Sequence, residues 1–228
     1  MTELTDMTEA GTLARRATVA LPHDGATRDD RFRSLMTREA WARLPAVVRH
    51  RFTEPLATSG QRTFAGHVIH TAHSRAGQLL ARLAHLVGGP LPDTHGATGR
   101  STVVVTRDDI LGGQIWSRTY ARPGRMPQTI NSVKRFAGPT GLEEYLGSGL
   151  IMRLTLHEDA GELVFRSAGY DVAFAGIRWA LPRLATPGTC IIRHRDEGGG
   201  WFTFTLTLDH PWLGRLVEQV AVYEEIGS

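Results

Sequence analysis

The sequence predicts an α+β fold: a curved, barrel-like antiparallel β-sheet of about eight strands, with helices in the N-terminal part covering one side. Three observations predict it. Residues 201–208 alternate strictly, with Phe202, Phe204, Leu206 and Leu208 on one side and Thr203, Thr205 and Thr207 on the other. That is the period of a strand with one buried face. From residue 100 onward, short runs of this kind recur between Gly- and Pro-rich turns, with no break in texture. Ahead of residue 100, apolar residues recur mainly at helical spacing.

Residues 1–28 are polar and mixed and are expected to be a flexible or weakly helical segment, with a weak helix at 9–19. Residues 29–228 are expected to form one domain. Its first firm element carries Phe32, Leu35, Met36, Trp41 and Leu44 at helical spacing, behind Asp29 and Asp30. Pro45 either breaks this element or opens a second helix through Val47, Val48 and Phe52. Residues 62–72 read as a strand. Residues 75–87 read as a helix with Leu79, Leu80, Leu83 and Leu86 on its apolar side, stopped by Gly88, Gly89 and Pro90.

The second half is read as short strands: 102–107 and 114–121 around the Gly112-Gly113 turn, then 129–136, then 150–157. A hairpin loop at 158–161 leads into 162–167. Strand texture returns at 170–174, 189–195 and from Trp201. Residues 142–146 fit no single element, and the stretch from Trp179 to Gly188 reads as a turn-rich link. After Pro211 and Gly214, a second strand places Leu216, Val220 and Val222 on one face, with Glu218 among them.

Composition narrows the function classes. Net charge is +3, spread along the chain with no Lys/Arg block, which argues against a nucleic-acid partner. The 25 arginines stand against a single lysine, Lys134. Cys190 is the only cysteine, so no intramolecular disulfide and no cysteine-based metal cluster can form. The N-terminus lacks a signal-peptide pattern, and no apolar run approaches the ~18 residues of a membrane span. The expectation is a cytoplasmic protein with no membrane partner.

Several stretches together resemble the domain family DUF4166 over about residues 30–225: Phe32-Arg-Ser-Leu-Met with Leu44-Pro45, Gly66 with the Leu-rich helix behind it, Ile115-Trp116-Ser117-Arg118, Glu144-Tyr145-Leu146-Gly147, Leu181-Pro182-Arg183-Leu184 with Pro187-Gly188, and Trp201-Phe-Thr-Phe with Pro211 and Gly214. The resemblance implies a stand-alone domain, or one joined in some relatives to a dinucleotide-binding reductase domain. No Gly-x-Gly-x-x-Gly follows a strand in this chain, so no nucleotide cofactor is expected. The family's activity is not established, and the resemblance carries over no catalytic residue.

The candidate site therefore rests on residue chemistry. Arg118 shares a strand face with Trp116 and Tyr120, where its planar fork can clamp a carboxylate or enolate oxygen. Glu144 and Glu218 are the candidate proton carriers, because a carboxyl in an apolar cavity is pushed toward the neutral form. Trp116, Tyr120, Phe204 and Tyr223 are the candidate ligand-binding surface. His67, His70 and His73 are expected to diverge, with His67 and His70 on opposite faces of a strand, so no metal site is assigned. Lys134 has the chemistry for a Schiff base, but Ser132 and Arg135 beside it read as a wet strand. Cys190 and His194 lie about 13 Å apart along one strand and cannot pair directly. His210, before Pro211, reads as a turn residue.

The function these residues predict is binding of a small apolar organic molecule in a barrel-like pocket, either passively or as a cofactor-independent isomerase or cyclase. Two alternatives stand beside it: a non-enzymatic interaction module, as a homodimer or as partner to a reductase, and a haem binder.

Overall fold

A computed structural model describes residues 29–54, 56, 60–84, 91, 99–109, 112–122 and 124–226. The expected helix at 9–19, the last three residues of the expected helix at 75–87, and the Gly88-Gly89-Pro90 stop lie outside the described residues. Three short helices come first: α1 (Arg31–Ser34), α2 (Arg38–Arg43) and α3 (Ala46–Thr53). Strand β1 (Gln61–His73) leads into α4 (Arg75–Ala84). The strands β2 (Gly99–Arg107), β3 (Gln114–Tyr120), β4 (Gln128–Arg135), β5 (Glu143–Gly147), β6 (Leu150–Asp159) and β7 (Glu162–Phe174) follow in order. The chain ends with β8 (Ile177–Ala180), β9 (Thr189–Gly198), β10 (Trp201–His210) and β11 (Gly214–Glu225). No helix among the described residues is long and apolar enough to cross a membrane.

Ten strands close into an antiparallel barrel. Strands β1 to β7 pair in sequence, β7 pairs with β9, β9 with β10, β10 with β11, and β11 returns to β1. Apart from the skipped β8, every neighbour in the ring is a neighbour in the chain, which makes this an up-and-down barrel. The expected count of about eight was low. Strand β8, whose last two residues Trp179 and Ala180 were read from the sequence as the start of a turn-rich link, pairs with the far end of β7 outside the ring. Residues 142–146, which fitted no single pattern, supply β5.

Of the register shifts in the barrel, two β-bulges decide how the candidate residues face. In β1, Val68 pairs with Ala221 and His70 with Val220, so Ile69 is the extra residue. In β11, Val217 pairs with Leu208 and Arg215 with Asp209, so Leu216 is the extra residue. A bulge shifts the alternation by one and so sends every residue beyond it to the other face.

The helices close one end of the barrel. The Thr37 hydroxyl accepts from the Ala40 amide at 3.2 Å and starts α2, and Pro45 sits at the N-cap of α3. Phe32 places its ring against Phe52, Phe136 and Phe165, with centroids 5.3, 4.8 and 6.2 Å away. Phe52 also meets His194 at 5.2 Å. A plug of rings thus fills this end, where Phe202 lies near the start of β10. Helix α4 lies at the other end. Ser74 caps it by accepting from the Gly77 amide at 3.1 Å, while the Ser74 amide donates to the Leu216 carbonyl at 3.0 Å. A Cβ on Gly77 would stand 1.9 Å from that same carbonyl oxygen. Gly77→Ala is therefore expected to push α4 off the bulge and lower stability by about 1–3 kcal/mol, read from the urea unfolding midpoint.

His194 is fully buried among Phe52, Phe202 and Phe204 and accepts from the Arg51 guanidinium on Nε2 at 2.8 Å. Burial, with the Arg51 charge behind it, holds this imidazole well below its ordinary 6.5. The unfolded chain therefore takes up the proton first as pH falls. The stabilisation is complete above pH 6.5 and is lost below it, by up to about 1.4 kcal/mol per pH unit. Between pH 6.5 and the onset of carboxylate titration near 4.5, unfolding free energy is expected to decline in the native chain. His194→Gln keeps an acceptor for Arg51 and is expected to flatten that slope.

Candidate functional site

Charged side chains cluster in the lumen between largely apolar walls. Strand β3 turns Trp116, Arg118 and Tyr120 inward, and β4 turns Ile130, Ser132 and Lys134 inward from the next strand. Strand β5 sets Glu144 opposite Lys134. These three strands bring a guanidinium, an ammonium and a carboxylate into one region of the lumen.

The Lys134 ammonium lies 3.0 Å from Glu144 Oε2, and Arg118 Nη2 lies 3.6 Å from Oε1. The Ser132 hydroxyl donates to Glu144 Oε1 at 2.6 Å and accepts from Arg118 Nη2 at 2.7 Å. Lys134 also stands over the Trp116 ring, 4.6 Å from its centroid. Lys134 is 4% exposed and Glu144 1%, so both charges are out of water. Burial alone would push the Glu144 carboxyl up, but Lys134, Arg118 and the Ser132 hydroxyl together hold it below the usual carboxylate range. Burial pulls the Lys134 ammonium down, Glu144 opposes that, and Arg118 adds to it; the outcome is a lysine more easily deprotonated than usual. Two positive groups share one negative one. Arg118 Nε, moreover, is a buried donor with no hydrogen-bond partner. Leaving such a donor unmet costs about 1–3 kcal/mol.

Two cavities meet at this cluster. The inner one, about 60 Å³, is lined by Trp116, Arg118, Tyr120, Lys134, Phe204 and Tyr223, among others. The outer one, about 380 Å³, forms the mouth beside α4. Leu80, Leu83, Leu146, Leu150, Met152 and Leu208 are among its walls, and Glu144 and Arg118 stand at its floor. Arg118, Ile192 and Leu206 belong to both cavities. Cys190 also opens onto the mouth, with its thiol pushed by burial up to about 12, which leaves it protonated and inert at neutral pH.

The four ligand-binding candidates, Trp116, Tyr120, Phe204 and Tyr223, all border the inner cavity. Two of them are fixed by hydrogen bonds, Tyr223 to the Ser101 hydroxyl at 2.9 Å and Tyr120 to Gln219 at 3.3 Å. Arg118 and Glu144 come together as described. Glu218 does not join them. The bulge at Leu216 turns Val217, Gln219, Ala221 and Tyr223 inward and leaves Glu218 outside, where it accepts from Arg215 at 3.0 Å. The alternation counted from Leu216 was wrong by one residue.

The bulge at Ile69 has the matching effect on the histidines. It puts His67 and His70 on the same outer face, not on opposite faces, and turns His73 inward. Among the described residues no three His, Cys, Asp or Glu side chains gather as metal ligands. Sequence reasoning missed Lys134 as a lumen residue. The signal was present in β4: Ile130, Ser132 and Lys134 are spaced by two, and an apolar leader marks that face as inward.

The shared carboxylate predicts unequal losses. Glu144→Gln leaves two buried cations without a counter-charge and is expected to cost about 3–5 kcal/mol. Lys134→Met leaves Glu144 paired with Arg118 and is expected to cost clearly less. Urea midpoints of the two variants check this, and equal losses would mean that Arg118 does not share the charge.

A family model described as a domain of unknown function (DUF4166) matches residues 44–222, from just before α3 into the closing strand. No curated protein and no solved structure matches the chain. With the match running over most of the chain and through every strand of the barrel, the protein belongs to the DUF4166 family.

Proposed function

We propose that the protein holds a small apolar organic molecule in the barrel, entering by the mouth and presenting an oxygen to Arg118. One observation carries this reading: the buried, unpartnered Nε of Arg118 at the junction of two apolar-walled cavities. Pockets for small molecules combine apolar walls with a few placed polar groups, and an unmet donor favours a ligand that supplies its acceptor. The excess positive charge favours an oxygen that carries negative charge, as in a carboxylate or enolate. No histidine borders the inner or mouth cavity among the described residues, so the haem alternative finds no histidine axial ligand there.

The same cluster supports a second reading, catalysis without a cofactor by an isomerase or cyclase. Glu144 is held ionised at the floor of the mouth with Lys134 against it, an arrangement able to take a proton from one ligand atom and return it to another.

Titration with an environment-sensitive anionic dye such as 1-anilinonaphthalene-8-sulfonate tests the binding reading. Saturable binding at one site is expected. Arg118→Gln is expected to weaken it about tenfold or more, the worth of a hydrogen bond to a charged group. Leu206→Trp, which fills the junction of the cavities, is expected to abolish it. Non-saturable binding, or binding unaffected by both substitutions, would remove the pocket reading.

A further inference from the structure

The lumen holds a nucleophile that its role as an ion-pair partner does not require. The chain carries 25 arginines and one lysine, and that lysine is the buried Lys134. Arginine pairs with a carboxylate at least as well as lysine does, through two parallel hydrogen bonds. It cannot lose its proton, so it cannot serve as an amine nucleophile. A lysine at the β4 position directly opposite Glu144 is thus what amine chemistry needs and what charge pairing alone does not.

We propose that Lys134 condenses with the carbonyl carbon of an apolar aldehyde or ketone held in the barrel, with Glu144 carrying the protons. This rests on the binding reading above and deepens it: the oxygen presented to Arg118 is a carbonyl oxygen. The geometry supports each step. The inner cavity beside the amine is about 60 Å³, room for roughly two water molecules at ~30 Å³ each, and thus for a carbonyl head group. The chain of the ligand extends into the apolar mouth of about 380 Å³. Glu144 borders the mouth and Lys134 the inner cavity, so the ion pair spans the junction that the incoming group reaches.

The ammonium passes one proton to Glu144, and the freed amine pair forms the new C–N bond as the carbonyl π pair moves to oxygen. Glu144 returns its proton to that oxygen, giving a carbinolamine. The nitrogen then yields a second proton, again through Glu144, and the C–O bond breaks with loss of water. The product is a protonated imine, one positive charge replacing another beside the same carboxylate. Ammonium plus carbonyl gives iminium plus water, so atoms and charge balance without any further reactant. Burial and the neighbouring Arg118 ease the first deprotonation.

A single lysine makes the test direct. The protein is incubated with decanal and sodium cyanoborohydride near pH 8, which fixes an imine as a secondary amine, and the adduct is mapped by peptide mass spectrometry. The N-terminal amine is the internal control. One adduct per chain at Lys134 is expected, formed about tenfold or more faster than at the N-terminus, and saturating with aldehyde. Glu144→Gln is expected to lower the saturating rate by at least about tenfold, as for loss of a general acid–base group. Its circular dichroism reports whether the variant is folded. Modification of the N-terminus alone in the native protein, with the anionic dye still bound saturably, overturns the imine and leaves the pocket standing. Loss of both signals overturns the binding reading as well. The mapping uses the unaltered chain, so a variant that fails to fold does not weaken it.

Discussion

Strand β1 runs antiparallel to β11 over Phe64–His73, and this pairing converts a ten-strand meander into a ring. Without it the same strands would form an open sheet with two long unpaired edges and one wet face. With it, the inward positions of every strand become a lumen. Gly66 permits the close approach: a Cβ there would stand 1.9 Å from the Val222 carbonyl oxygen. The two bulges flank this seam, Ile69 on one strand and Leu216 on the other, and they set which side chains it presents to the interior.

The charged cluster is possible only because closure puts three strands' inward positions within reach of one another. Strand β5 shows the economy of the arrangement. Glu144 faces the lumen and Lys134, while the preceding Glu143 faces outward to the Arg178 guanidinium on the β8 strap, with Asp171 beside it. Two adjacent carboxylates are both buried and both paired, on opposite sides of one strand. On the inner side the pairing is incomplete: Arg118 and Lys134 outnumber Glu144, and the Nε donor of Arg118 is unmet.

The general architecture was legible because alternation in 201–208 is strict, short strand-like runs recur through 150–157 and 162–167, and the turns between are rich in glycine. The barrel-like curvature was legible from the run of short strands, but which strands close the ring was not, since pairing of the first strand with the last leaves no local mark. The family resemblance was carried by residues now found along the plug, β3, β5 and β10; the family match covers residues 44–222 and so leaves out the Phe32–Met36 stretch. Within the site, Trp116, Arg118 and Tyr120 were readable from a clean period of two. Glu218 was misplaced because a bulge has no reliable sequence signature, and one extra residue reverses the face of all that follow. Lys134 was misjudged because its polar neighbours Ser132 and Arg135 suggested water, whereas Ser132 is polar in order to bond Glu144 and Arg118.

The seam also fixes where the chain departs from the barrel. Glu225, near the end of β11, pairs with Phe64 near the start of β1, and Arg62 donates to Glu225 at 2.7 Å and to the Arg51 carbonyl at 2.8 Å. Both the entry to the ring and the exit from it therefore lie on the plugged side, against α3. A domain tethered after Glu225 would hang from the base of the vessel and leave its rim unobstructed for traffic.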